Sequence, residues 1–279
     1  MRIISYNVDG LPESIDLMDL PKWLRFIAWI YKKIKGTTIV KINDGSDRLS
    51  FSKKICSYLS SQNADIIVVQ EYFNYPFELN GYNKGSYMGG FDISKIPSNM
   101  TLFPPRFKCD GLCIFTKYNI VSEDIVPWKE SYGYFGHAND KLTRKGFRRY
   151  RLDVGSGKFI DIYNVHMDAD FHKDGNDGDN IGDIRARMCQ IKQLVSYVGE
   201  HSVGVPVVVI GDTNSYTKYS WDEENIGRLV SGIGCTEIVP NNGSDCDRVF
   251  TVGIDSGVSR YALSINYSDH KPLVVDLDI

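Results

Sequence analysis

Residues 205–214 read VPVVVIGDTN, a run of apolar residues that ends in polar ones. A short, continuous apolar run is typical of a strand buried on both faces. Asp212 and Asn214 follow the run directly, where a strand opens onto a loop. In α/β proteins this rim of the sheet is where ligands usually bind. The stretch therefore predicts a buried strand that delivers polar side chains to a site.

Similar apolar runs recur along the chain, and each is a predicted strand: Arg2–Val8, Asp65–Gln70, Gly111–Thr116, Lys158–Val165, Arg248–Val252 and Pro272–Leu277. Apolar residues recur at helical spacing in Arg48–Ser61 and Asp183–Glu200, which predicts two amphipathic helices. A strand–helix–strand order thus occurs twice. Because no low-complexity linker divides the chain, we expect a single domain over residues 1–279, with two packed sheets and outer helices.

Polar residues stand at the ends of several predicted strands. The set comprises Asn7, Glu71, His166, Asp168, Asp212, Asn214, Asp269 and His270. One such residue alone is usually a turn former or a cap, but so many at corresponding strand ends predict a site. The oxygen ligands of Glu71, Asp269 and Asn7 suit Mg²⁺, Mn²⁺ or Ca²⁺ better than zinc. The two histidines suit proton transfer near neutral pH.

Five motifs taken in order resemble those of the endonuclease/exonuclease/phosphatase superfamily, whose fold is deoxyribonuclease I-like. They are Ser5-Tyr6-Asn7, Val69-Gln70-Glu71, Tyr163-Asn164-Val165-His166, Gly211-Asp212-Thr213-Asn214 and Ser268-Asp269-His270-Lys271-Pro272. The resemblance implies an α/β (α+β) fold, a four-layer sandwich of two packed mixed β-sheets flanked by helices. It also implies a Mg²⁺-dependent hydrolase that acts on phosphate esters, and we expect a monomer.

The resemblance also implies the metal ligands. Glu71 would bind the metal, with Asn7 and Asp269 nearby. The ion would be Mg²⁺, with Mn²⁺ and Ca²⁺ as alternatives, and the sequence leaves open whether one or two ions bind.

Four further residues would carry the chemistry. Asp212 and His270 would orient and deprotonate the attacking water. Asn214 and His166 would bind the phosphoryl oxygens and stabilise the charge that develops in the transition state.

Three features resemble the neutral sphingomyelinase branch of the superfamily. The first motif continues as Asn-x-x-Gly-x-Pro through Gly10, and Lys145 precedes a glycine ahead of the His166 strand. The third feature is the segment His166-Met167-Asp168-Ala169, which contains Asp168 and is followed by a predicted helix that contains Arg187. Lys145, Asp168 and Arg187 are therefore candidate substrate-binding residues, and the resemblance implies a phospholipid phosphodiesterase.

An inserted segment at about residues 20–36 contains the sequence PKWLRFIAWIYKKIKG. On a helix, its apolar residues share one face and its basic residues the other, with Phe26 and Trp29 beside the basic face. Such a helix can lie in a lipid interface, where Trp23, Phe26 and Trp29 would contact a membrane or a partner. The alternative is that its apolar face packs on the body of the enzyme.

Composition bounds the remaining alternatives. The chain is 42% hydrophobic and 24% charged, which is ordinary globular composition. Its net charge of −3 argues against a passive nucleic-acid-binding module, because such modules are usually basic. It does not exclude a deoxyribonuclease I-like endonuclease, for which the arginines and lysine between 144 and 151 would be the basic surface. An inositol-phosphate phosphomonoesterase and a catalytically dead binding module on the same scaffold also stay open. The intact polar set argues against a dead module.

The sequence offers few indications of compartment. No run of about 18 apolar residues predicts a membrane span, and we expect no signal peptide in this chain. A cytoplasmic protein, or a secreted one whose signal has been removed, fits equally. Cys235 and Cys246 would be able to pair in a secreted protein, while reduced thiols are expected otherwise.

Overall fold

The computed structural model describes residues 1–10, 46–73, 76–87, 110–133, 140, 143–169, 181–243, 245–254 and 256–279, with side chains from residue 50 onward in the first helix. The segment with Trp23, Phe26 and Trp29 lies outside these ranges, so its contact with a membrane or partner stays a prediction.

The described ranges contain twelve strands and three helices. The strands are β1 (Arg2–Asn7), β2 (Ile66–Gln70), β3 (Asn83–Lys84), β4 (Cys113–Thr116), β5 (Asn119–Pro127), β6 (Gly146–Gly155), β7 (Lys158–His166), β8 (Val207–Asp212), β9 (Thr236–Glu237), β10 (Asp247–Val252), β11 (Gly257–Tyr261) and β12 (Leu273–Leu277). The helices are α1 (Ser46–Ser61), α2 (Ile181–His201) and α3 (Ser220–Ile233). All seven predicted strands and both predicted helices are present.

The strands form two six-stranded sheets, in the orders β11-β12-β1-β2-β4-β3 and β5-β6-β7-β8-β10-β9. In each sheet the two central strands are parallel, β1 with β2 and β7 with β8, and the other pairs are antiparallel. Both sheets are therefore mixed. Within each parallel pair the carboxyl ends meet at one edge, which places Asn7 opposite Gln70 and His166 opposite Asp212.

The two sheets pack face to face around a shared apolar core. Ile3 and Val68 of the first sheet lie in one cluster with Ile162 and Ile210 of the second, and all four are fully buried. Because side chains alternate along a strand, the next residues point to the opposite face. Each such side chain stabilises the fold by about 1.5–3 kcal/mol relative to exposure.

Helices cover the outer face of each sheet. Ile55 and Leu59 of α1 pack with Ile4 of the first sheet. Leu194 of α2 and Leu229 of α3 pack against the second sheet. The order helix, sheet, sheet, helices confirms the predicted four-layer sandwich.

A buried polar bridge joins the two sheets just below their active edge. Gln70 Nε2 donates to Asn164 Oδ1 at 2.7 Å, and Gln70 also exchanges hydrogen bonds with Ser5. Asn164 Nδ2 donates to the carbonyls of Val69 and Cys113 at 3.0 and 3.1 Å. The polar residues that precede Asn7, Glu71 and His166 in the motifs therefore hold the sheets in register.

Strand β6 carries three arginines of the basic cluster at residues 144–151, and all three are paired with carboxylates of the fold. Arg148 is buried and binds Asp110 and Glu123. Arg149 and Arg151 share the buried carboxylate of Asp161. The basic surface considered for nucleic acid is thus largely neutralised by carboxylates.

Two further observations concern membrane spans and cysteine pairing. None of the described helices is long and apolar enough to cross a membrane. Cys235 and Cys246 both carry free thiols, so the structure has no bridge between them.

Candidate active site

The ends of the four parallel strands meet where the two sheets adjoin. Asn7 ends β1 and places its Nδ2 atom 3.1 Å from Glu71 Oε1 and 3.0 Å from Asp212 Oδ2. The side-chain amide of Asn7 thus links Glu71, which follows β2, to Asp212, which is the last residue of β8. Asn7 turns its nitrogen rather than its oxygen to these carboxylates, because Oδ1 accepts from the Asp9 amide. In this orientation Asn7 positions both carboxylates.

His166 ends β7 on the buried side of this cluster. Its Nε2 atom lies 3.5 Å from Asp212 Oδ2 and 3.8 Å from Glu71 Oε1. Burial, together with the nearby charge of Lys145, holds the pKa of His166 well below its ordinary value, against the opposing influence of Asp212. His166 is therefore a neutral imidazole, and its carbonyl accepts from the indole of Trp128 at 2.7 Å.

His270 approaches Asp212 from the other side and has the opposite charge preference. Its Nε2 atom lies 3.7 Å from Asp212 Oδ2, and its Nδ1 atom lies 2.7 Å from Asp247 Oδ2. Burial alone would lower the pKa of His270, but Asp247 and Asp212 outweigh it and raise this pKa well above the ordinary value. The pKa of Asp212 is lowered despite its burial because the charges of His270 and Lys145 favour its charged form.

Asp247 is a site residue that the sequence reasoning missed. It begins β10 directly opposite Asp212 in the sheet register, and its carboxylate holds the His270 ring. Burial raises the pKa of Asp247 to about 6, with His270 partly offsetting that effect. Its one sequence signal is a carboxylate in front of an apolar run, which is equally typical of an ordinary strand start.

Glu71 lies just past β2 in the left-handed region, with φ of 56°. Burial raises the pKa of Glu71, although Lys145 and Asn7 act in the opposite direction. The carboxylate is thus desolvated without full compensation, and a divalent cation would supply the missing charge. Asp269 is exposed, its charge raises the pKa of Glu71 further, and it accepts from Ser268 at 3.2 Å. Carboxylate oxygens of this kind fit a hard ion such as Mg²⁺.

Asn214 follows Asp212 after one residue and also has positive φ, at 47°. Its backbone amide donates to Asp212 Oδ1 at 2.9 Å, and its side-chain amide donates to the Met167 carbonyl at 3.0 Å. The structure therefore brings together Asn7, Glu71, His166, Asp212, Asn214 and His270, with Asp269 at the rim.

A profile of the Endonuclease/Exonuclease/phosphatase family matches residues 4–270, nearly the whole chain. The chain belongs to this family. Among curated proteins, a sphingomyelinase of Mycobacterium tuberculosis is 25% identical over 151 residues, which cover 52% of this chain and 27% of the relative. The matched segment is thus about a quarter of that protein.

Three solved structures share the fold. Beta toxin from Staphylococcus aureus, with bound magnesium ions, aligns at TM-score 0.59 and 16% identity over 98% of both chains. Sphingomyelinase C from Streptomyces griseocarneus aligns at 0.61 and 14% over 98% of both chains. Truncated TDP2 from Caenorhabditis elegans aligns at 0.62 and 13%, over 100% of this chain and 97% of its own. The predicted deoxyribonuclease I-like fold is confirmed.

Gly10 shows why one family motif needs a glycine. A Cβ atom placed on Gly10 would lie 2.2 Å from the Glu71 carbonyl oxygen and 3.3 Å from the Phe73 amide nitrogen. Both contacts are with backbone, which cannot swing aside. Gly10 therefore allows the loop after β1 to lie against Glu71, whose carboxylate enters the site.

Lys145 and Asp168 lie behind the site. Lys145 is buried, pairs with Asp140 at 2.6 Å and donates to the Met167 carbonyl at 3.2 Å. Burial would lower the pKa of Lys145, but the carboxylates of Asp140, Glu71 and Asp168 raise it. Asp168 accepts from the Tyr132 amide and from Gln190. Lys145 thus acts on the site through its charge, and its contact with substrate stays a proposal.

Arg187 does not reach the site. Its side chain is fully buried, and its guanidinium pairs with Asp222 at 2.9 Å and donates to the Asp168 carbonyl at 3.3 Å. This pair links α2 to α3 across the outer layer. The geometry corrects the substrate-binding prediction for Arg187, because no surface of this side chain is open to a ligand.

Proposed function

We propose that this protein is a metal-dependent phosphodiesterase that hydrolyses a phosphate ester with an activated water. The observation that carries the proposal is the position of Asp212, between a neutral and a protonatable histidine and linked to Glu71 through Asn7. Pairs of titratable groups whose surroundings separate their pKa values mark acid–base sites. The family match is consistent, since it covers every residue of this cluster.

The metal would be held by Glu71 and Asp269, with Asn7 positioning the Glu71 carboxylate. Mg²⁺ is the expected ion, since these donors are oxygens. When bound, it supplies a Lewis acid for a phosphoryl oxygen.

The chain's own residues orient the water and manage its proton. In its neutral form, His270 accepts the proton at Nε2, while Asp212 orients the water beside it and Asp247 fixes the ring through Nδ1. Asn214 and His166 donate hydrogen bonds to the phosphoryl oxygens. Because the site is largely buried, these donors act in a low dielectric, where they stabilise developing charge strongly.

The substrate class that fits best is a phospholipid, cleaved at its headgroup as by a sphingomyelinase. Support comes from the mycobacterial relative over half of this chain, and from Gly10 and Lys145 at motif positions of that branch. The paired arginines of β6 count against a nucleic-acid groove. A monomer that touches the membrane peripherally through Trp23, Phe26 and Trp29 completes the proposal.

A parallel substrate panel tests the assignment. The protein is incubated with Mg²⁺ and either sphingomyelin vesicles, plasmid DNA or inositol phosphates, and products are quantified. We expect release of the phosphorylated headgroup from the vesicles, lost on chelation and in Asp212→Asn. Turnover of DNA alone or inositol phosphates alone would replace the lipid assignment with the corresponding alternative. No turnover of any substrate would support a binding module on this scaffold.

A further inference from the structure

Cys246 lies against the catalytic histidine without a role in the proposed reaction. It directly precedes Asp247, its side chain is buried, and its Sγ atom lies 3.9 Å from His270 Nδ1. Single ligand atoms of Cys246, His270 and Asp212 all lie within 4.8 Å of one another. A thiol, an imidazole and a carboxylate form a ligand set that suits zinc, whereas magnesium prefers oxygen alone.

Asp247 adds an independent observation at the same place. Its Oδ2 atom holds His270, but its Oδ1 atom is buried and has no hydrogen-bond partner in the part of the chain that the structure describes. A buried oxygen without a partner is costly, and such groups call for an explanation. An ion beside the thiol would give this oxygen a partner.

We propose that Cys246, His270 and Asp212 bind a zinc ion, with Asp247 beside them, and that zinc bound there inhibits the phosphodiesterase. Zinc–sulfur and zinc–nitrogen bonds of about 2.3 and 2.0 Å in a tetrahedron place the two ligand atoms about 3.5 Å apart. The observed 3.9 Å between Cys246 Sγ and His270 Nδ1 therefore closes with a movement of a few tenths of an ångström, with zinc taking the place of the hydrogen bond between Nδ1 and Asp247.

Coordination releases the thiol proton to solvent and requires the proton on His270 Nδ1 to leave that atom, so the metal-bound ring keeps a proton at Nε2 and cannot accept one from water. The ion also engages Asp212, which orients that water. Zinc at this place would therefore oppose activity rather than support it. The inhibition rests on the proposed function, whereas the binding does not. Magnesium would not displace the zinc, because it has little affinity for a thiolate.

Cobalt, a spectroscopic substitute for zinc, tests the site directly. Metal-stripped protein is titrated with Co²⁺ in excess Mg²⁺, and the near-ultraviolet thiolate-to-cobalt absorption is recorded. We expect this band in the wild type and in Cys235→Ala, which removes another buried free thiol, and its loss in Cys246→Ala. Added zinc should abolish the band. A wild type without the band, or an undiminished band in Cys246→Ala, would overturn the proposal.

The effect on activity is measured separately. Zinc is titrated into assays at saturating Mg²⁺, and each variant is compared with its own uninhibited rate. Cys246→Ser should raise the half-inhibitory zinc concentration by about ten-fold or more, as loss of a metal ligand requires, while Cys235→Ser should not. Equal inhibition of both variants would refute the inhibitory role. If the protein hydrolyses no phosphodiester, the proposed function fails, and the cobalt band still decides the metal site.

Discussion

His270 is held between two carboxylates, with Asp247 at 2.7 Å from its Nδ1 atom and Asp212 at 3.7 Å from its Nε2 atom. The first contact fixes the ring and its tautomer, and the second directs the free nitrogen to the reacting water. Because Asp247 also raises the pKa of His270, one contact governs both the geometry and the pH range of the proposed reaction.

Asp247→Asn should lower activity and move its pH dependence. A base must be neutral, so the rate falls as pH drops through the pKa of His270, which two carboxylates hold above its ordinary value. Removing the Asp247 charge lowers the pKa of His270, so the fall in rate on the acid side of the pH profile moves to lower pH. The maximal rate should also drop by about 10² or more, because the ring is no longer held in place. The check is kcat/KM measured across pH at saturating Mg²⁺. An acid limb at the wild-type position would contradict the role given to Asp247.

Gly10→Ala should weaken metal binding through Glu71. The added methyl group would meet the Glu71 carbonyl at 2.2 Å, so the loop after β1 and the Glu71 backbone must move apart. We expect the Mg²⁺ concentration for half-maximal activity to rise by about ten-fold, as when a group that orients a ligand is lost. Gly199→Ala is the matched control, because a Cβ atom there meets nothing within 4 Å. If the Mg²⁺ concentration for half-maximal activity is unchanged in Gly10→Ala, Gly10 has no influence on metal binding.

Much of the fold could be predicted because it depends on local apolar patterning. Strands buried on both faces form continuous apolar runs, and the helices over them repeat at helical spacing. Strands β5 and β6 were not predicted, because neither forms a continuous apolar run. In β5 many residues are exposed, and in β6 charged residues interrupt the apolar ones. In β6, Arg148 and Arg149 are buried through carboxylates from distant parts of the chain, which a local pattern cannot show.

Sequence patterns could predict only those site residues that stand at the ends of predicted strands. Asn7, Glu71, His166 and Asp212 converge because two parallel pairs end at adjoining edges. Asp247 was missed because its role depends on the antiparallel register that places it opposite Asp212. Arg187 was misassigned for a related reason, since helical spacing shows which face it shares but not that α3 covers that face.

Asn164→Ala should lower the stability of the fold more than it disturbs the geometry of the candidate active site. Asn164 bridges the sheets, and its removal leaves Gln70 and two buried carbonyls without their partner. Each unsatisfied buried group costs about 1–3 kcal/mol, so we expect a loss of about 3 kcal/mol after partial relaxation. Urea unfolding measures it, with the exposed Asn241→Ala as control. A loss no greater than that of Asn241→Ala would show that the polar bridge contributes little.

Asp161→Asn should remove stability in a pH-dependent manner. The buried carboxylate binds Arg149 at 3.1 Å, Arg151 at 2.8 Å and Ser202 at 2.5 Å. Burial alone would raise the pKa of Asp161, but these partners outweigh it and lower this pKa. Because the folded-state pKa is depressed, the stabilisation is fully present above the unfolded value of about 3.9 and is lost as pH falls through the folded value.

At neutral pH the variant should therefore unfold with about 3 kcal/mol less free energy than the wild type, as expected when one partner of a buried ion pair is removed. The deficit should narrow as pH falls below about 4, where the Asp161 carboxylate of the unfolded wild-type chain begins to take up its proton. Urea unfolding at a series of pH values measures this, with Asp153→Asn as the control, since its amide oxygen can still accept from the Gly155 amide. A deficit that stays constant down to the lowest pH would mean that Asp161 stabilises the strand by shape and hydrogen bonding rather than by its charge.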